Sequence, residues 1–409
     1  MDYIIKRSEA SELAGKNYWM LLYGRRKVGK TFMLRNFFRY DDYYTVRKDL
    51  SIVSDKGQVK RDVFVGEIKA LLERNKVVVI DEFQRLDESA LEEIMLLHPK
   101  GKLVLSGSSL KIVKKIFEPN SPLLGFFTPV RISFIRPSDA VIGLKKRLNS
   151  EKRIELAAFI REPWIIPLYG GEEITDFIYS VIKNSKHTIR ALLGEIFTEE
   201  ERELSRKYET LLNLIGSGIW NTKELTSLMY SRKLIPDPSP NHIIQYIKNL
   251  EEMELVESIK LHRTKGRFYR LASPIMNIFY YLESRYDISS RDISLEEIKP
   301  TLEKLINMEI QNFIADIFAE MHNGRKEYYV SPDKEVDFII TKRNKPEIVG
   351  EVKWKKINSE DVKRFKAVSE NFRGKPVMVC KTGKQSGDIE ILDAEDIVSM
   401  IEKRAKVSK

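Results

Sequence analysis

The sequence predicts an α/β chain: a parallel sheet covered by helices, then a helix-rich segment, then a second α/β segment. Three observations carry this. Short apolar runs at Tyr18–Tyr23, Lys76–Ile80 and Leu103–Leu105 alternate with helical patterns, as strands buried on both faces do. Helical patterns at 206–215, 222–230 and 240–253 are followed by two strand patterns near Leu255–Lys260 and Phe268–Ala272. Beyond residue 300, a helix near Leu302–Met321 precedes strands near Tyr328, Val336–Thr341, Ile348–Lys353 and Pro376–Cys380, with a last helix at Ala394–Lys403.

The 409 residues suggest two to four domains, at roughly 100–200 residues each. An apolar share of 42% supplies real cores and excludes global disorder. Seventy basic against sixty acidic side chains leave a net charge of +10, compatible with a polyanionic partner but modest for this length. The single cysteine, Cys380, excludes a disulfide scaffold and a Cys-rich zinc site, and fits a reducing cytoplasm. The amino terminus lacks a signal-peptide run, and no stretch of about 18 apolar residues exists, so no membrane span is expected. The five histidines, at 98, 187, 242, 262 and 322, show no metal-ligand spacing and receive no ligand role.

The segment Gly24-Arg25-Arg26-Lys27-Val28-Gly29-Lys30-Thr31 matches G-x-x-x-x-G-K-[ST] at every fixed position. Its glycines let backbone N–H groups converge on phosphate oxygens. Lys30 adds a point charge for the β- and γ-phosphates, and Thr31 opens a helix with a hydroxyl for Mg²⁺. A strand pattern precedes the loop and a helical one, beginning with Phe32, follows it. The loop itself contacts only phosphates and would accept GTP as well as ATP. About fifty residues on, Val77–Ile80 ends in Asp81 and Glu82. Asp81 suits the Mg²⁺ shell, Glu82 suits activation of the attacking water, and Gln84 suits its positioning. A third strand ends in Ser106, Ser108 and Ser109, of which Ser108 is the preferred γ-phosphate contact while its neighbours stay open. Arg25 and Arg26 are open between phosphate, solvent and a neighbouring subunit.

YGRRKVGKT, VVVIDEFQ, LVLSGSS and SPLLGFFTPVRI together resemble archaeal-type ATPases of the AAA+/STAND branch of P-loop NTPases, across residues 7–200. The resemblance implies ATP as nucleotide, Mg²⁺ as cofactor and a homo-oligomer as one state. Two departures stand out. Leu124-Gly125-Phe126-Phe127 carries no arginine where the family has one, with Arg131 nearby but out of register. Pro167 precedes Gly170-Gly171, whereas the family's lid signature has the proline after the glycines.

Residues 200–285 read as a winged helix whose basic tip holds Lys260, Arg263, Lys265 and Arg267 without an acid. Such a wing can follow a DNA backbone. Equally, the module can pack against its own chain. Further on, Glu351 and Lys353 share one strand face, and a hairpin brings Asp337 to them. Two carboxylates and a lysine can hold a divalent metal and stabilise a phosphoryl centre, with Glu309 as a further acid. This set resembles the PD-(D/E)xK nuclease fold and the carboxy-terminal domain that accompanies this ATPase family, over residues 300–409. The expected organisation is a P-loop ATPase core at 1–135, a helical lid at 136–198, a winged helix at 199–287 and a nuclease-like α/β domain at 288–409, with the polar run after Asp287 as connection. The expected function is an ATPase acting on or with double-stranded or branched DNA. A nucleotide-driven switch and a DNA-binding regulator are the alternatives.

Overall fold

Each apolar run of the first third becomes a strand whose successive residues feed two cores. Leu21, Val78, Ile80, Leu103 and Leu105 pack on one face with Phe64 and Ile68. Leu22, Val79 and Val104 pack on the other with Met33 and Leu34. A period of two with both faces buried is why these runs are apolar throughout. The computed structural model describes residues 3–95, 100–108, 110–119, 121, 123–200, 202–331, 335–383 and 389–407. It divides into two compact units: Lys6–Phe134 with Ala191–Leu204, and Ile135–Arg190 with Ser205–Lys409 and Met1–Ile5.

The first unit contains α1 (Ser8–Ala14), β1 (Met20–Tyr23), α2 (Lys30–Phe37), β2 (Asp42–Val46), β3 (Ile52–Ser54), β4 (Gly57–Val59), α3 (Arg61–Glu73), β5 (Val77–Asp81), α4 (Glu88–Met95), β6 (Lys102–Gly107), α5 (Leu110–Ile116) and β7 (Thr128–Arg131). Its sheet runs β4-β3-β2-β5-β6-β1-β7. The five strands from β2 to β7 in that order are mutually parallel, and β3 and β4 extend the edge antiparallel. Strand β6 therefore lies between the strand that leads into the glycine loop and the strand that ends in Asp81.

The second unit holds α6 (Pro137–Gly143), α7 (Ser150–Ala157), α8 (Ile174–Asn184) and the start of α9 (Lys186–Glu199), whose later residues from Ala191 belong to the first unit. Three helices follow, α10 (Arg206–Gly216), α11 (Thr222–Ser231) and α12 (Asn241–Glu252), then the hairpin β8 (Val256–Leu261) and β9 (Arg267–Leu271), and α13 (Pro274–Tyr286). The last stretch comprises α14 (Leu295–His322), β10 (Arg325–Val330), β11 (Glu335–Lys342), β12 (Lys345–Lys353), α15 (Ser359–Ser369), β13 (Lys375–Cys380), β14 (Glu390–Leu392) and α16 (Ala394–Val407). Among the described residues no helix is long and apolar enough to cross a membrane.

Here the organisation departs from four separable segments. One sheet, ordered β14-β13-β12-β11-β10-β8-β9, joins the hairpin of the middle segment to the last one, with Lys260 and Leu261 paired parallel to Glu327 and Tyr328. The polar run after Asp287 is not a loose connection. Tyr179 Oη donates to Ile293 O at 2.7 Å, and Ser294 and Glu297 form a capping box that starts α14 inside the run expected to link domains. Helices expected to form a lid are tied to the last segment by buried charge. Arg161 reaches Asp316 at 2.7 Å and Lys326 reaches it at 2.6 Å. Burial pushes the Asp316 carboxyl up, but the two cations outweigh it and hold it below its usual range. Trp354 Nε1 donates to Glu155 Oε1 at 2.9 Å, and Arg153 meets Glu402 at 3.0 Å.

The β11–β12 hairpin depends on a glycine: Phe338 pairs with Gly350, and a Cβ on Gly350 would lie 2.0 Å from the Phe338 ring. The ring is fully buried, so it has nowhere to move. Gly350→Ala is expected to destabilise the second unit by about 1–3 kcal/mol, seen as a lowered thermal midpoint.

Candidate functional site

The loop between β1 and α2 curls through three left-handed residues, Gly24 at φ 151°, Lys27 at φ 66° and Gly29 at φ 89°. Gly24 is also required by space, since a Cβ there would sit 1.9 Å from Ile132 O. Gly29 caps α2, so the helix N-terminus opens onto the loop. Lys30 is buried and donates from Nζ to Gly24 O at 2.7 Å and Arg25 O at 3.2 Å. Val28 is buried beneath the loop. Arg7, unnoticed in the sequence, braces the loop from below. It donates to Val28 O at 2.8 Å and to Ser133 O at 3.0 Å, and pairs with Glu9 at 2.8 Å.

The two loop arginines separate. Arg25 is buried with its guanidinium 4.7 Å from the Phe134 ring centroid. Arg26 pairs with Glu195 at 3.1 Å and with Glu199. Phe32 stands exposed on α2 against Phe37.

Asp81 ends β5 only 2% exposed. Its Oδ2 accepts from Thr31 Oγ1 at 2.7 Å and from Tyr43 Oη at 2.8 Å. The two groups assigned to the Mg²⁺ shell are thus in contact, and Tyr43 on β2 is a third partner that no sequence motif marks. Burial raises the Tyr43 phenol and the Asp81 charge raises it further, so the hydroxyl stays a donor. Glu82 sits at φ 57° in the turn after β5. Its carboxylate accepts from Gln84 Nε2 at 2.8 Å and pairs with Arg85 at 3.0 Å.

On β6, Ser106 lies in register with Asp81, and its fully buried hydroxyl has no hydrogen-bond partner among the described residues. Ser108 Oγ accepts from Gln84 Nε2 at 3.2 Å. Ser109 lies outside the described residues. Oxygen donors from Thr31 and Asp81, the converging loop and the unpartnered Ser106 hydroxyl fit a Mg²⁺-bound nucleoside triphosphate.

The second cluster forms only in part. Asp337 and Glu351 face each other across β11 and β12, with Val352 N–H donating to Asp337 Oδ2 at 2.7 Å and Lys353 pairing with Glu351 at 2.6 Å. Burial raises the Asp337 carboxyl and the Glu351 charge adds to it; burial likewise raises Glu351, against the pull of Lys353. Glu309 takes no part in that pair. It is 2% exposed and held by Arg270 and by Asn277 Nδ2 at 2.7 Å. Among the described residues no group of three or more acidic, histidine or cysteine side chains is placed to hold a metal; of the expected set, Asp337, Glu351 and Lys353 make contacts with one another's strands, and Glu309 is engaged by Arg270 and Asn277.

The basic tip is also partly engaged. Lys260 meets Glu327 at 3.0 Å. Arg263 donates to Asn371 O at 2.6 Å and lies 4.7 Å over the Phe372 ring. Arg267 donates to Ser258 Oγ at 2.8 Å but is exposed, as is Lys265.

The loop and sheet of the first unit have the arrangement of a P-loop α/β fold. Residues 16–126 match the family described as AAA domain. No curated protein matches the chain. Among solved structures, the Aeropyrum pernix ORC2 protein in its ADPNP–ADP complexes is 13% identical, covering 77% of this chain and 96% of that one at a TM-score of 0.38. The Aeropyrum pernix ORC1 protein in complex with DNA is 16% identical, covering 69% and 94% at a TM-score of 0.27. Cdc6p from Pyrobaculum aerophilum is 13% identical, covering 73% and 91% at a TM-score of 0.25. Likenesses of this size leave the functional reading to the residues themselves.

Two outcomes follow from the geometry. Tyr43→Phe removes a hydrogen bond to a buried carboxylate and should cost about 1.5–3 kcal/mol, measured as a lowered thermal midpoint. The fold favours Asp337 in its neutral form, so its contribution is full below the ordinary carboxylate pKa and is lost as pH rises through its raised value. Asp337→Asn should therefore flatten the fall in melting temperature between acid and neutral pH and exceed the parent at pH 8.

Proposed function

We propose that the chain is an AAA-type ATPase that binds and hydrolyses ATP at the Gly24–Thr31 loop and works with DNA through its second unit. The observation that carries the ATPase reading is the contact of Thr31 and Tyr43 with Asp81 beside a loop whose lysine is buried and oriented. Bound Mg²⁺ would neutralise charge on the β- and γ-phosphates. Thr31 and Asp81 would hold it, and Lys30 would turn from Gly24 O to the phosphates. Tyr43 keeps Asp81 aimed through its hydrogen bond. Glu82 is the general base, positioned by Gln84. Arg85 and Gln84 occupy its carboxylate, and with no arginine at Leu124–Phe127 to stabilise the transferred phosphoryl group, turnover in isolation is slow. DNA contact would rest on the net charge of +10 and on the exposed Lys265 and Arg267.

A specific observation favours a second reading, a nucleotide-driven switch whose carboxy-terminal segment does not cleave. Arg270 and Asn277 already occupy the Glu309 carboxylate. A paired assay decides between them: ATP hydrolysis, and cleavage of plasmid and branched DNA with Mg²⁺ or Mn²⁺, for the parent, Lys30→Ala, Glu82→Gln and Glu351→Ala. Lys30→Ala should abolish nucleotide binding, and Glu82→Gln should retain binding while losing turnover by roughly a hundredfold or more. Cleavage lost only in Glu351→Ala would establish a nuclease; turnover without cleavage supports the switch. Binding and turnover undiminished in Lys30→Ala would sink the ATPase reading.

A further inference from the structure

A cleft of about 310 Å³ opens within the second unit, lined by α10, β9, α13, α14, β10 and β11. That is many times the volume of one water and falls in the range of small-ligand sites. One wall is aromatic. Trp220 and Phe268 stack with ring centroids 5.3 Å apart at 19°, and Tyr328 meets Phe268 edge-on at 5.2 Å. All three are only half-buried. Flat aromatic surface of this kind takes planar heterocycles, largely regardless of their identity.

Polar groups also line the cleft. Arg270 is 6% exposed. It pairs with Glu309, so its charge is compensated inside the wall of the cleft. Asn277 and Gln311 add amide groups to the lining. Charge narrows the choice of ligand. Glu309 balances Arg270, and Glu335 and Asp337 stand on the same cleft, so a phosphate group is not attracted inward. A neutral ring with its own donors and acceptors is.

We propose that this cleft binds one unpaired nucleobase, stacked on the Trp220–Phe268 wall beside the amide groups of Asn277 and Gln311. The base comes either from a free nucleoside or from an unpaired position in a strand. The site is separate from the glycine loop, and its fate is independent of the ATPase reading, because the probes carry no triphosphate.

The test uses the full chain. Binding of adenosine, thymidine, a twelve-nucleotide single strand and a blunt duplex of the same length is followed by tryptophan emission and by anisotropy of labelled DNA. Phe268→Ala should weaken binding roughly tenfold or more. Met308→Trp, at an exposed position lining the cleft, should fill the site without disturbing the core. Lys30→Ala should bind as the parent does. Single-strand binding that nucleoside displaces identifies a strand as the source of the base; nucleoside binding without strand binding identifies a free nucleoside. The proposal is overturned if neither binds, if Met308→Trp with a normal melting temperature binds both undiminished, or if the duplex displaces bound nucleoside as well as the single strand does.

Discussion

One nearly dry carboxylate organises the first unit. Asp81 terminates a strand in the middle of the sheet, and its position demands hydrogen-bond donors because water cannot supply them. Thr31 from the loop helix and Tyr43 from the neighbouring strand meet that demand. The requirement fixes three elements at once: where β5 stops, how α2 begins, and which face of β2 turns toward the loop. The glycine loop is then held between this point above and Arg7 beneath, so its left-handed residues need no ligand to stay in place.

The second unit is organised by charge buried between segments that the chain places far apart. Asp316 gathers Arg161 and Lys326, Glu309 gathers Arg270, and Glu155 takes Lys381 while accepting from Trp354. Each pair carries a desolvation penalty, and breaking one leaves an uncompensated ion, which costs more than the pair contributes. Such contacts select one arrangement rather than adding much stability. They also show what engages Glu309: its cationic partner comes from β9, a strand of the middle segment.

The legibility of the chain follows the range of the interactions. The strands β1, β5 and β6 and the loop were readable because burial on both faces and phosphate chemistry leave local patterns. Ranges for α10, α11, α12 and the hairpin differ from the sequence expectation by only a residue or so, because helical periodicity and turn residues are local too. What escaped was non-local. Tyr43 is one of two adjacent tyrosines on β2, and only tertiary placement aims it at Asp81 while Tyr44 turns to Glu67. The capping box at Ser294 hid inside a polar run that reads as a linker. The pairing of β8 with β10 joins residues some sixty apart and has no signature in either strand.

That pairing also bears on what can be cut away. The hairpin seals the edge of β10, and β10 covers the end of β8 in return. A strand edge left bare is a template for other chains. Severing the polypeptide at the apparent junction near Asp287 would uncover both edges at once, and each fragment would carry a sticky flank suited to its missing half. Co-expressed fragments would have complementary surfaces on which to reassemble, while either alone would be prone to self-association.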